Sequence, residues 1–250
     1  MKKSLAKIAK IPRSASQIAK LPPQQAAFLG VLDYAVSEIN IAQRLFLLSC
    51  HEAPECEELK IAVTLQQNLL IRLSSSKIFE VYEETKVLSL NSSDQSVKEL
   101  SSEFVSEFDK LSKADGYQIA RAIRHESTNH YSTKAASKNM DFLLEGADAS
   151  LYVTDRQGNG FYPFGDALMF DARLNRHGGR RGDGDRMVKC WLDWASTANR
   201  ALHELHGAAF VKLWLDRYPT RKRQMRNLWV EPELTHDFSP LLPVYLHKGN

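Results

Sequence analysis

No apolar run in this 250-residue sequence reaches the roughly 18–20 residues that a membrane-spanning helix needs, so a membrane partner is not expected. Cysteine is scarce. The three present, Cys50, Cys56 and Cys190, are odd in number and form no CxxC pair, which argues against a disulfide frame and for reduced thiols in a cytoplasmic protein. Acidic residues are missing from the first twenty positions, which carry six Lys or Arg, yet no apolar stretch follows as it would in a secretory signal.

Familiar catalytic signatures are missing too. There is no GxSxG elbow, and no cysteine sits in a catalytic context. His203-Glu204-Leu205-His206 lacks the spacing of a zinc-protease helix and has no evident third ligand. The loop from Gly178 to Gly184 lacks the lysine–hydroxyl ending of a phosphate-binding P-loop. Neither a metal nor a cofactor is therefore implied. Asp166, Asp171, Asp183 and Asp185 would suit a two-metal nuclease, but they straddle a glycine-rich loop, and that reading is set aside.

What remains is an ordinary globular composition, with 43% hydrophobic and 25% charged residues, and a length that permits a substantial core. The net charge is +3, unevenly spread. Residues 1–110 hold 13 basic and 14 acidic side chains, whereas 171–226 hold 13 basic and only 6 acidic. A basic segment in a near-neutral chain suits a polyanion, although a merely solvated charged face would read the same way.

The periodicity predicts an all-α protein, an antiparallel helical bundle with a small β-hairpin insertion around 151–164. Residues 1–23 form a basic N-terminal segment, with a short amphipathic helix broken at Pro12. The helical domain follows over 24–228. Apolar positions such as Phe28, Val31, Leu32, Ala35 and Ile39 predict a helix from Gln24 to Cys50. A second helix runs from about Glu55 to Leu90, with Leu70, Leu73, Phe79, Tyr82 and Val87 among its apolar positions. Asp94 is placed to cap a third helix over about 95–112, and a fourth begins at Tyr117 after an Asp115-Gly116 turn. Further helices are expected over about 133–145, 165–175 and 185–217, with a mobile glycine-rich basic loop at 176–184. The tail, 229–250, is punctuated by Pro232, Pro240 and Pro243 and reads as extended.

The densest chemistry lies in Ala122-Ile123-Arg124-His125-Glu126-Ser127-Thr128-Asn129-His130-Tyr131. A permanent cation and two imidazoles share a stretch that starts as a helix and ends in residues that compete for backbone hydrogen bonds. An arginine can stabilise charge on phosphorus while a histidine moves a proton, which suffices to cleave a phosphodiester without a metal.

This arrangement resembles the HEPN superfamily, all-helical proteins marked by arginine, a polar residue, three or four variable residues and then histidine. Here the pattern falls on Arg124, His125, the residues Glu126 to Asn129, and His130, with Tyr131 following as in many bacterial members. His125 stands where asparagine is commoner. The motif spans 124–130, and a looser likeness, including an aromatic hairpin followed by a helix, extends over 24–215. The resemblance implies a metal-independent endoribonuclease of toxin or phage-defence type, with two motifs meeting across a homodimer and an antitoxin or regulatory protein as a possible partner; some members are non-catalytic.

The expected roles follow. Arg124 would stabilise the phosphorane-like charge, His130 would act as general base or acid, and His125 or Asn129 would orient the phosphate or the histidine. Six positions on a straight helix differ by about 600°, leaving Arg124 and His130 some 120° apart, so unwinding or a second subunit is needed to unite them. Arg173, Arg176, Arg180 and Arg181 with the cluster Arg221, Lys222 and Arg223 would hold RNA phosphates. Trp191 and Trp194, at helical spacing, read as core, whereas Trp214 and Trp229 remain available for base stacking. A structural alternative stays open, in which Arg124 pairs with an acid and His130 caps a helix end. On that view the chain is a non-catalytic module binding RNA, nucleotide or protein.

Overall fold

The computed structural model describes residues 3–50, 55–125, 132–153, 160–219 and 224–230, the segments 3–10 and 224–230 by backbone path alone. Helices dominate it, as the periodicity requires. They are α1 (Ala15–Ile18), α2 (Pro23–Ser49), α3 (Glu57–Asn91), α4 (Gln95–Leu111), α5 (Asp115–Ile123), α6 (Thr133–Asn139), α7 (Pro163–Asp166), α8 (Ala172–Gly178) and α9 (Gly184–Ala209). A π turn over Ala167–Asp171 joins α7 to α8, and a second over Phe210–Leu215 extends α9. Among the described residues no helix is long and apolar enough to cross a membrane.

The long helices lock together through side chains at matched heights. Gln67 on α3 donates to the Ser49 carbonyl at the end of α2 (3.0 Å), Lys77 pairs with Glu38 (3.1 Å), and Ser92 donates to Gln24 (3.0 Å). Residue numbers thus rise on one helix as they fall on the other, and the two run in opposite directions. By the same criterion α9 opposes α4, since Lys212 meets Glu99 at 2.6 Å while Trp194 meets Phe108 with ring centroids 6.0 Å apart. Asp94 caps α4 by accepting from the Val97 amide at 3.0 Å and also receives the Gln25 carboxamide at 2.8 Å, which ties the start of α2 to this corner.

Between these helices lies an aromatic core. Phe79 stacks on Trp194 with centroids 5.7 Å apart, and Tyr82 stacks on Phe108 at 4.4 Å. Each such pair contributes about 0.5–1.5 kcal/mol beyond simple burial. Trp191 and Trp194 are core as expected, and Trp214 joins them at 1% exposure, which takes it out of reach of a stacking base. On α3 the expected apolar positions Leu73 and Val87 face solvent, while Ser75 is fully buried. The reason is hydrogen bonding: Ser75 Oγ accepts from the Trp191 indole N–H at 2.8 Å, a donor that burial would otherwise leave unsatisfied.

Several boundaries depart from the periodicity. Lys3–Lys10 forms a strand, β1, rather than a helix, and pairs antiparallel with β2 (Gln224–Val230). Asp115 and Gly116 belong to α5 rather than to a turn, because Gly116 lies against α9; a Cβ there would stand 2.2 Å from the Cys190 carbonyl oxygen and 2.4 Å from Trp194 Cβ. Among the described residues of 151–164 the expected hairpin is not seen as paired strands. It reduces to a single antiparallel bridge, Tyr152 to Phe161, whose rings stack at 4.5 Å, and Pro163 then starts α7. The helix expected over 133–145 closes early in a 3₁₀ turn, Met140–Phe142.

The segment expected to be a mobile loop is a compact turn. Gly179 (φ 88°) and Gly182 (φ 87°) take left-handed conformations that suit glycine, and Asp183, almost fully buried, accepts from Arg180 at 3.0 Å and from Arg186 at 3.1 Å. The Asn175 carboxamide stitches the turn further, accepting from the Gly184 amide at 2.8 Å and donating to the Phe142 carbonyl at 3.2 Å.

Candidate functional site

Helix α5 sets the position of Arg124. Ile119, Ala120 and Ile123 are buried, so α5 is seated by its apolar face and Arg124 comes just after the last anchor. At this point the helix widens into a π-like turn, and the Arg124 amide points at the carbonyls of Ala120 and Arg121. The Arg124 guanidinium lies over the Phe79 ring, 5.6 Å from its centroid, and stands 3.6 Å from Glu83. Its side chain is 21% exposed, so it is neither entombed nor fully solvated.

Arg124 and His125 line an open groove of ≈390 Å³ with Lys86, Arg121 and Glu83, above a floor that includes Phe79, Tyr82 and Tyr117. Lys86 Nζ sits 5.8 Å above the Tyr82 ring. Both phenols are shifted upward chiefly by burial, Tyr82 also because its hydroxyl donates to Asp109 at 2.7 Å. Both therefore stay protonated near neutral pH, and among the described residues the groove presents three fixed cations and one imidazole against a single carboxylate. Such a surface suits a phosphate chain.

Other expected site residues are dispersed. His130, Asn129 and Tyr131 lie outside the described residues, as do Arg221, Lys222 and Arg223. Arg173, expected to face RNA phosphates, is instead fully buried; burial, with the charge of Arg176 nearby, pulls its guanidinium down to about 10. Arg176 is half-buried on the same helix. Arg180 is exposed but bound to Asp183, whose carboxyl it holds below the usual range. Arg181 donates to the Asp141 carbonyl at 2.9 Å and lies 3.6 Å from Glu145. The basic stretch thus spends much of its charge on shaping its own turn.

Two of the aspartates set aside in the sequence do converge. Asn68 on α3 donates to Asp166 at 2.5 Å and lies 3.5 Å from Asp171, while Arg72 donates to Asp166 at 2.6 Å. Burial, reinforced by the nearby charge of Asp166, lifts the Asp171 carboxyl to about 7. The π turn brings this about: residues five apart, on different sides of an ordinary helix, are drawn toward one side when the backbone bonds i to i+5. Periodicity rules assume 3.6 residues per turn, so Asn68 and Arg72 were not legible as their partners.

Comparison with protein-family models, with curated proteins and with solved structures finds no match to this chain.

Proposed function

We propose that this chain is a metal-independent endoribonuclease of HEPN-like type, built as an antiparallel helical bundle and acting as a homodimer. The observation that supports it best is the groove in which Arg124 and His125 meet Lys86 and Arg121 over an aromatic floor. A sugar-phosphate chain laid there meets Lys86, Arg121 and Arg124, and Arg124 is held by Phe79 below and Glu83 beside it. An incoming phosphate competes with Glu83, whose 3.6 Å contact is long for an ion pair.

In the proposed reaction His130 takes the proton of a ribose 2′-OH, and that oxygen attacks the adjacent phosphorus. The bond from phosphorus to the 5′-oxygen breaks, that oxygen takes a proton from water, and His130 gives up its own proton to solvent before the next turnover. The products are a 2′,3′-cyclic phosphate and a 5′-hydroxyl end. Arg124 stabilises the charge that builds on phosphorus, and His125 or Asn129 orients the phosphate. RNA is the substrate, and a regulatory or antitoxin protein restrains the activity.

The test is cleavage of end-labelled RNA in EDTA, read on denaturing gels, by wild type and by Arg124→Ala and His130→Ala variants whose helicity is checked by circular dichroism. Cleavage that persists in EDTA and is lost in both folded variants supports the reading; cleavage that survives both substitutions overturns it. The Glu83–Arg124 contact favours a second reading, a non-catalytic RNA-binding module that keeps its arginine paired. That reading gives salt-dependent RNA affinity, no cleavage and no effect of His130→Ala.

A further inference from the structure

A second cavity, of ≈230 Å³, lies under the π turn Ala167–Asp171. Its walls are apolar, with Ile61 and Leu65 from α3, Leu143 and Ala147 from the segment after α6, and Pro163 at the start of α7. Mostly apolar walls with polar groups converging at one place are what a small-molecule site looks like, and π turns recur at such sites.

Most of the polar lining beneath the π turn offers acceptors. Asn68 spends its amide protons on Asp166 (2.5 Å) and, weakly, on Asp171 (3.5 Å). Asn175 is committed on both sides, donating to the Phe142 carbonyl and accepting from the Gly184 amide. Arg72 is drawn to Asp166 at 2.6 Å. Lys60 also lines the cavity, but its ammonium is paired with Glu57 at 3.1 Å on the exposed side. Beneath the π turn an occupant meets the acceptor oxygens of Asp171 and Asp166, and Asp171 takes a long 3.5 Å contact from Asn68. Two carboxyls repel a carboxylate or phosphate. A metal cage is not formed either, for among the described residues no group of three or more His, Cys, Asp or Glu converges as ligands.

We propose that this cavity binds a small organic amine, its ammonium group against Asp171 and Asp166 and its short aliphatic body along Ile61, Leu65 and Leu143. The ammonium supplies donors to the Asp171 and Asp166 oxygens, and the apolar walls take the chain. Thr64, Asn68, Asp171 and Asn175 also line an adjoining cavity of ≈580 Å³, which leaves room for a longer amine to extend. The site is independent of the cationic groove and stands or falls without the nuclease reading.

The test uses the full chain and n-pentylamine as the probe, at about pH 8, where an alkylamine is still protonated. 1-Pentanol and pentanoate at matched ionic strength serve as controls, and binding is read by titration calorimetry. Saturable binding of pentylamine, at least about tenfold tighter than pentanol and with none for pentanoate, is the expected result. Asp171→Asn removes that preference for the amine, and Leu65→Trp, which fills the cavity, removes binding of the amine and the alcohol together. Equal binding of amine and alcohol by the wild type, or no saturable binding of the amine, overturns the proposal. So does unchanged amine affinity in either variant. Should Asp171→Asn fail to fold, the wild-type comparison and Leu65→Trp decide the matter.

Discussion

The Arg124 groove and the Asp171 cavity are opposites in charge and in solvent, yet both form where a helix widens into a π turn. At Arg124 the cations sit at an open surface, above rings that cost nothing to leave in place, and water shares their charge. At Asp171 the charge is taken inward, and the fold answers by holding the carboxyl to about 7 rather than near its ordinary value. A groove with exposed cations is ready for a large, charged, exchangeable ligand. A cavity with one under-bonded carboxyl suits a small ligand that brings its own donors.

The contrast can be broken at several points. The largest effect is expected from Arg124→Ala: cleavage falls about 10²–10³-fold, as when one donor to a developing charge is removed, while the melting temperature stays within a few degrees of wild type. Parallel gel and melting measurements check it, and a fully active variant would remove Arg124 from the site.

Gly116→Ala attacks the groove from beneath. Its methyl would stand 2.2 Å from the Cys190 carbonyl, so α5 must shift off α9, at a cost of about 1–3 kcal/mol in urea unfolding and with loss of cleavage through Arg124. Stability equal to wild type would show that α5 is not wedged as described.

At the opposite pole, Asp171 makes stability depend on pH in a defined direction. Its folded pKa lies above the unfolded value, so the native state binds the extra proton; this group's contribution to stability is full below pH ~4, the ordinary carboxylate range, and is lost as pH rises toward about 7. The groups that set this are Asp166 on α7 and Asp185 on α9, which raise it, and Asn68 and Arg72 on α3, which lower it. Wild type is expected to lose roughly 5 °C in melting temperature across that interval relative to Asp171→Asn. Parallel melting curves of the two proteins would contradict this.

The smallest effect concerns the rim of the groove. Lys86→Ala and Arg121→Ala should each reduce the slope of log affinity for RNA against log salt by about one, without abolishing cleavage. Slopes that do not change would place the RNA elsewhere.

The long helices were legible because burying one face of a helix imposes a spacing that composition cannot hide: α2, α3 and α4 begin and end within two residues or so of where the apolar rhythm and Asp94 put them. Ile123 and Arg124 were readable for the same reason, as the last buried position and its half-buried neighbour. The places that failed share a different cause. Ser75 replaced the expected Leu73 in the core because a tryptophan 116 positions away needed an acceptor, and Arg173 went inside rather than out because α8 presents that face to the interior. Among its described residues the hairpin shows one bridge, and the basic loop tightened around Asp183 through contacts between neighbours that glycine content does not encode.

By itself, then, the chain's order of residues determined that it is helical, where its long helices run, and that a cation and imidazoles gather near position 124, since periodicity and local chemistry act over a few residues. Only the packed structure decided which charges face water, that Asp166 and Asp171 share a partner on α3, and that Arg124 rests on Phe79. Those outcomes depend on burial and on hydrogen bonds between residues tens to hundreds of positions apart, whose distance in space no local pattern carries.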